Sequence, residues 1–488
     1  MKKPSDKKLG MDRSITRRDF VQGVAVTAGA LGLPSAATAD VSVSAGAQGA
    51  MIADYPPTKT GMRGSHPGAF EIAHALARDG AKFPEPKPTD EHYDLVVVGA
   101  GISGLAAAHY YHKRFGPDTK ILLLENHDDF GGHAKRNEFH QSGEMVLSLG
   151  GTHNLEWWKF SETVNAFMAD HGVDYHAMRE QMDFAYGRDA TNGQAMWFDE
   201  ATYGVNRLVT NFNLSAKLTP KDIDKIPISD AGRESLKRFY GSAPRLKEWT
   251  KAEAEDLLSS ISYPDFLRTY GGLTEDAVQL FDKEEHGSWG LEMRALSAAE
   301  AIWEGHPGAH LFGEEWGENS FVYPVAMWPD GNASLARLMV AKLMPHSAPN
   351  VTADNVAIAR FDYSALDQVG ANTRLRLNST VIGVENTDQG VSVTYASSEG
   401  ELKQVLARHS VLACYHSIIP HLCPAIPDAQ KAALKYQVKF PLILTNVLLR
   451  NSKALQKLGV DAISCPGRLH ARLFLFEGLH TGGYQRPD

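Results

Sequence analysis

The chain has 488 residues, enough for two or three domains with ample core, and carries a formal charge of −9. That acidity argues against a nucleic-acid partner and tolerates a cationic one. The three cysteines, Cys414, Cys423 and Cys465, cannot make a disulfide framework, and neither CxxC nor CxxCH occurs.

The N-terminus reads as an address. Ser14 to Phe20 spell SITRRDF, a weakly apolar Gly/Ala-rich stretch follows, and Ala37, Thr38 and Ala39 offer small residues for cleavage. A basic head, an apolar middle and a small-residue site make residues 1–39 a twin-arginine signal, centred on Arg17 and Arg18. That route carries proteins already folded to the periplasm, through the twin-arginine translocation machinery. The alternative is a chance arginine pair before an anchor helix, but the run is short and poorly hydrophobic for a span. Cleavage after Ala39 leaves 449 residues with a charge of −13 and no later run apolar enough to anchor in a membrane. Folding before export implies a cofactor loaded beforehand.

Residues 40–92 form an extension rich in Pro, Gly and Ala, with one helical pattern from Ala69 to Arg78 stopped by Gly80. Residues 94–98 then predict a buried strand. Gly99, Gly101 and Gly104 follow at G-x-G-x-x-G spacing, with Ser103 among them, and Ala106 to Ala108 open a helix able to pack closely. KILLLE predicts a second buried strand closed by Glu125, 24 residues after Gly101. A lone glycine motif is weak evidence. In this context it fits a dinucleotide: glycines let a pyrophosphate approach, a helix N-terminus faces it, and the acid accepts ribose hydroxyls. An empty Rossmann unit is the alternative.

Two further glycine pairs favour FAD over NAD. Gly131 and Gly132 open GGHAKRNEF, and Gly150 and Gly151 close a strand in LSLGGTHNL. Residues 93–155 are thus expected to form the first part of an FAD-binding domain. Residues 156–325 read as a mostly helical substrate domain. Within it Ser161 caps a helix with Val164, Phe167 and Met168 on one face, and Ser297 with Glu300 forms a capping box. Residues 326–425 return to the FAD domain, and 426–488 begin a second substrate part that they do not complete. The expected fold class is α/β, a Rossmann-like FAD domain interleaved with an α+β substrate domain.

These motifs, with the segment from Val381 through a hairpin to Val411–Ala413, and MWPDGNASLARLM from Met327, resemble the flavin-containing amine oxidases of the glutathione-reductase-like fold. YPPTKTGMRGSHPGAFEIAHALARDG and GGHAKRNEF, with the twin-arginine start, resemble the bacterial spermidine dehydrogenases within that family. The resemblance implies FAD-dependent oxidation of an amine, a polyamine such as spermidine, with electrons passed to an unspecified acceptor. It implies that Val381 lies by the adenine and that Lys439 is the lysine near the flavin. An apolar-strand edge lysine is the alternative for Lys439. The family has Arg after the Gly-Gly pair; here His133 stands there, and Lys135 or Arg136 could touch the pyrophosphate instead. Trp157 and Trp158 either line a pocket or pack a core. No zinc spacing occurs among the 20 histidines. The resemblance further implies a b-type haem beside FAD, with His66, in the loop with Met62, as candidate ligand; a surface loop histidine is the alternative. The family's last flavin motif, a Gly-Asp or Gly-Glu strand end, is not found before Asp488, which suggests a fragment.

Overall fold

A computed structural model describes residues 55–182, 193–313, 325–476 and 479–486. The twin-arginine signal, with Arg17 and Arg18, lies outside the described residues.

Continuous apolar runs build the first sheet. Strand β1 (Lys87–Val98) carries the predicted strand at its end, and β2 (Ile121–Leu124) is the KILLLE strand. Leu95, Val97, Ile121 and Leu123 point into one core; Val96, Val98, Leu122 and Leu124 point into another. Both faces are covered there, which is why β2 and the last four residues of β1 are apolar at every position rather than at alternate ones. A two-stranded ribbon follows, β3 (Asn137–Gln141) with β4 (Glu144–Ser148). Strands β5 (Gly193–Phe198) and β6 (Arg207–Thr210) come next, within a region otherwise rich in helices. Then come β7 (Thr373–Arg376), β8 (Thr380–Thr387), β9 (Gly390–Ala396) and β10 (Leu402–Leu412), and finally β11 (Val460–Ser464) and β12 (Arg472–Phe474).

The main sheet has the order β7-β2-β1-β10-β9-β8. Its first four strands are parallel, and β9 and β8 continue it antiparallel. Chain far apart in sequence is thereby joined: β10 returns beside β1, with Val98 opposite Leu412. The second sheet, β12-β11-β5-β6, likewise pairs β11 with β5 in parallel across a long separation. The helices between 218 and 312 cover one of its faces around Phe198, Phe239, Phe266 and Phe281.

Three helices frame the candidate site. Helix α1 (Glu71–Ala77) is the predicted helix after the N-terminal loop, and Gly80 stands three residues beyond it. Helix α2 (Ile102–Phe115) follows β1 directly, and α3 (Ala333–Leu343) packs against it through Leu105, Ala108, Ala336 and Met339. Ser161 caps its helix as expected, accepting from the Val164 amide, but Val164 is exposed while Phe167 and Met168 are buried. Ser297 accepts from the Glu300 amide, one half of the expected capping box. Among the described residues, no helix is long and apolar enough to cross a membrane.

Candidate dinucleotide site

Four loops converge beside the C-terminal ends of β1 and β2. The Gly131 amide donates to the Ala100 carbonyl at 2.9 Å, Gly151 to His133 at 3.1 Å, and Asn332 to Thr152 at 3.0 Å. Backbones this close leave no room for side chains. A Cβ on Gly104 would lie 1.9 Å from the Gly99 carbonyl oxygen, and one on Gly150 would lie 2.0 Å from that of Lys135. Gly101 is different. A Cβ there would meet nothing nearer than the Gly132 Cα at 3.6 Å, an ordinary contact. The fold itself does not require this glycine, so the open space above it is available to a ligand.

Gly101 is also the N-cap of α2 and supplies no side-chain acceptor. The first-turn amides of this 14-residue helix therefore have no side-chain cap. Glu125 sits beside them, buried. Its Oε2 accepts from the Ala100 amide at 2.7 Å and its Oε1 from the His127 amide at 3.0 Å. Burial pushes its carboxyl pKa up, against the pull of Lys135 and of those two amides. Each oxygen keeps a lone pair for another donor. The Ser379 amide donates to the Glu125 carbonyl at 2.8 Å, which brings the β7–β8 turn, and with it buried Val381, toward the same place.

The other expected residues fall into two groups. Lys135 lies at the site, with Nζ 3.2 Å from the Asp129 carbonyl. His133 Nε2 is 2.8 Å from the Tyr415 hydroxyl, and Lys439 Nζ stands 5.7 Å over the Tyr415 ring, so these three come together. Ser103 is in the exposed first turn of α2. Arg136 does not serve a pyrophosphate. It is buried and spends its guanidinium on Glu138 at 2.8 Å, Asp330 at 2.7 Å and the Ala357 carbonyl at 2.6 Å. A cation so fully paired has nothing left for a ligand.

Two more expectations are corrected. The alternative reading put Lys439 at the edge of an apolar strand, yet residues 437–450 make none, and the apolar side chains there are largely exposed. His66 keeps both ring nitrogens against the protein rather than toward open space, although its buried Nε2 makes no hydrogen bond among the described residues. Its Nδ1 lies 2.9 Å from the Pro67 carbonyl and its Nε2 3.3 Å from Asp128 Oδ1. Among the described residues no cluster of three or more His, Cys, Asp or Glu is arranged to hold a metal ion.

The motifs LSLGGTHNL and MWPDGNASLARLM were marked in the sequence, but not the role of three of their side chains. His153 Nδ1, Trp328 Nε1 and Asn332 Oδ1 are buried without a hydrogen-bond partner among the described residues. They lie on the two loops that touch at Thr152 and Asn332, a contact that chain order does not reveal. Trp157 and Trp158 line a shallow pocket of about 600 Å³ with Phe160, Asp174, Tyr175 and His176. Trp157 and Tyr175 also abut the main core, so both readings of the tryptophan pair hold in part.

Comparison with known proteins agrees with the first half of this geometry. Residues 97–171 match the NAD(P)-binding Rossmann-like domain family. A 54-residue stretch is 44% identical to the sarcosine oxidase beta subunit of Rhizobium meliloti (strain 1021), covering 11% of this chain and 12% of that protein. Among solved structures, a putrescine oxidase bound to putrescine aligns at 13% identity over 80% of this chain and 72% of its own, with a TM-score of 0.40. A fatty acid isomerase from P. acnes aligns at 12% identity over 70% and 63%, with a TM-score of 0.33. At such TM-scores neither alignment bears on activity. The chain is a mixed α/β protein that carries an NAD(P)-binding Rossmann-like domain.

Proposed function

We propose that the chain is an FAD-dependent oxidoreductase that oxidises an amine, a polyamine such as spermidine, and passes the electrons to a separate acceptor. One observation carries the cofactor part: an uncapped helix N-terminus above a glycine that the fold does not need, with a buried carboxylate beside it. Amides and dipole at α2 suit a diphosphate, and Glu125 suits ribose hydroxyls. The cradle continues past this first turn through Gly131–Gly132 and Gly150–Gly151. It ends near the unpaired polar atoms of His153, Trp328 and Asn332, an extent that favours FAD over a smaller nucleotide.

FAD supplies the hydride acceptor for the carbon next to the amine nitrogen. The chain's residues do the rest. The α2 amides and Glu125 fix one end of the cofactor, Val381 walls the adenine side, and the loops at Gly151 and Gly331 exclude water from the other end. The resemblance alone gives Lys439 its place near the reacting carbon; it stands over Tyr415 and through it near His133. The oxidised nitrogen must enter neutral, and any second ammonium needs a carboxylate partner. The chain's acidity supports that choice of substrate.

Purified full-length protein should show flavin absorption, and spermidine should bleach it anaerobically faster than a monoamine of equal length does. Added salt should erode that preference. Equal turnover of a monoamine or of an amino acid would replace the polyamine reading with another FAD oxidoreductase, an amino-acid oxidase or desaturase. Absence of bound flavin would leave a non-catalytic nucleotide binder. Periplasmic export belongs to the same proposal. Replacing Arg17 and Arg18 by Lys should strand the precursor in the cytoplasm.

A further inference from the structure

Glu125 is the first of five residues, Glu125 to Asp129, that form the loop after β2. Every one of them is tethered. Asn126 donates to the Ala69 carbonyl and accepts from the Thr380 hydroxyl. The His127 amide holds Glu125 Oε1, and the His127 carbonyl accepts from the Asn378 amide at 2.9 Å. Asp129 Oδ1 accepts from the Tyr363 hydroxyl at 2.6 Å. Asp128 gathers three cationic or basic groups from upstream: Lys59 Nζ at 3.0 Å, Arg63, and His66 Nε2 at 3.3 Å.

The upstream segment is itself seated in the domain. Buried Tyr55 meets Tyr363 edge-on with ring centroids 5.4 Å apart, and its hydroxyl accepts from Arg337 at 3.1 Å. The His66 ring meets His127 edge-on at 5.3 Å. Burial, then Lys135 and His66, bring His127 down to about 3, so its ring stays neutral and packs as an apolar plate. Residues 55–77 therefore wrap from the α3 side to the loop behind Glu125 and fasten there at Ala69 and Asp128.

We infer that Asp128 is a positioning residue: it clasps residues 59–66 onto the loop of Glu125, and this clasp sets the preference of the site for a ribose with a free 2′-hydroxyl. The inference rests on the dinucleotide reading of the cradle. A carboxylate discriminates between hydroxyl and hydrogen only if it is held in place, because a mobile acid rehydrates instead. Among the described residues Glu125 makes no hydrogen bond to the upstream segment; the clasp works through Asn126 and Asp128.

The test uses the full chain stripped of bound nucleotide, with ADP and 2′-deoxy-ADP as probes in calorimetric titrations. The unaltered chain should prefer ADP by about tenfold, the worth of a hydrogen bond to a charged group. Asp128→Asn should cut that preference to about twofold, and Asp128→Glu should largely restore it. Arg63→Met, which leaves Lys59 and His66 on Asp128, should give a smaller loss in the same direction; it decides the matter if Asp128→Asn does not fold. A general loss of structure would weaken both nucleotides alike and leave their ratio unchanged. An unchanged ratio in folded Asp128→Asn and Arg63→Met overturns the inference while the dinucleotide reading stands. Equal binding of both probes by the unaltered chain overturns it together with the role of Glu125. Binding of neither overturns the dinucleotide reading as well.

Discussion

The dinucleotide cradle and the strap at residues 437–449 are opposites in how they are held. In the cradle, loops from four parts of the sequence touch backbone to backbone. The strap is rich in apolar residues, Val438, Phe440, Leu442, Ile443 and Leu444 among them, but Pro441 interrupts it and no backbone hydrogen bond joins residues 437–449 to another described residue. Side chains alone fasten it: Asn446 Oδ1 accepts from Ser148 Oγ at 2.6 Å, and Thr445 Oγ1 lies 2.9 Å from His470 Nε2. Val438 remains 77% exposed. An apolar run is thus no guarantee of a strand; a ladder partner must be present to take up the amides and carbonyls. The cradle is decided by its own contacts, the strap by whatever it meets.

Substitutions should show that contrast most sharply at the glycines. Gly104→Val places atoms inside the Gly99 carbonyl and should abolish folding of the Rossmann unit, seen as loss of a cooperative melt. Gly101→Ala should leave the melting midpoint of the nucleotide-free chain within about 3 °C and yet lower dinucleotide affinity at least about tenfold. If Gly101→Ala melts like Gly104→Val, that glycine serves the fold and not a ligand.

Arg136→Met tests the buried side of the cradle. It leaves Glu138 and Asp330 buried without their cation, and the cost should be about 3–5 kcal/mol in denaturant titrations. A cost under about 1 kcal/mol would mean that the loops hold without this network.

A smaller effect is expected at the start of β1. Burial favours the neutral Glu91 carboxyl, but hydrogen bonding and charge from Arg376, and then charge from Arg374, bring its pKa down to about 2. In the unfolded chain a Glu titrates near about 4.3. On acidification the unfolded chain therefore takes the proton first. The Glu91 contribution is whole above pH ~5 and is lost as pH falls toward the folded value. Glu91→Gln should flatten the acid limb of the stability profile in that window and nowhere else. Smallest of all, Val438→Thr on the strap should change stability by less than about 0.5 kcal/mol, because the side chain is already in water.

Local chemistry made the Rossmann unit legible. A β-branched run, glycines at fixed spacing, small residues and a terminal acid each answer to contacts within a few residues, so the strand, turn, α2, β2 and Glu125 could be read directly. The hairpin from Val381 and the strand ending at Leu412 were legible by resemblance, although Val411, expected to be buried, is exposed. Arg136 was not. Whether an arginine after a glycine pair faces a phosphate or a buried carboxylate depends on Asp330, 194 positions away. His66 was equally undecided until Asp128 was beside it, and Lys439 until its segment proved to have no ladder. The sequence by itself determined which backbone could bend and which residues could be buried. Only the tertiary structure decided where the charges went, because pairing depends on neighbours that chain order does not reveal.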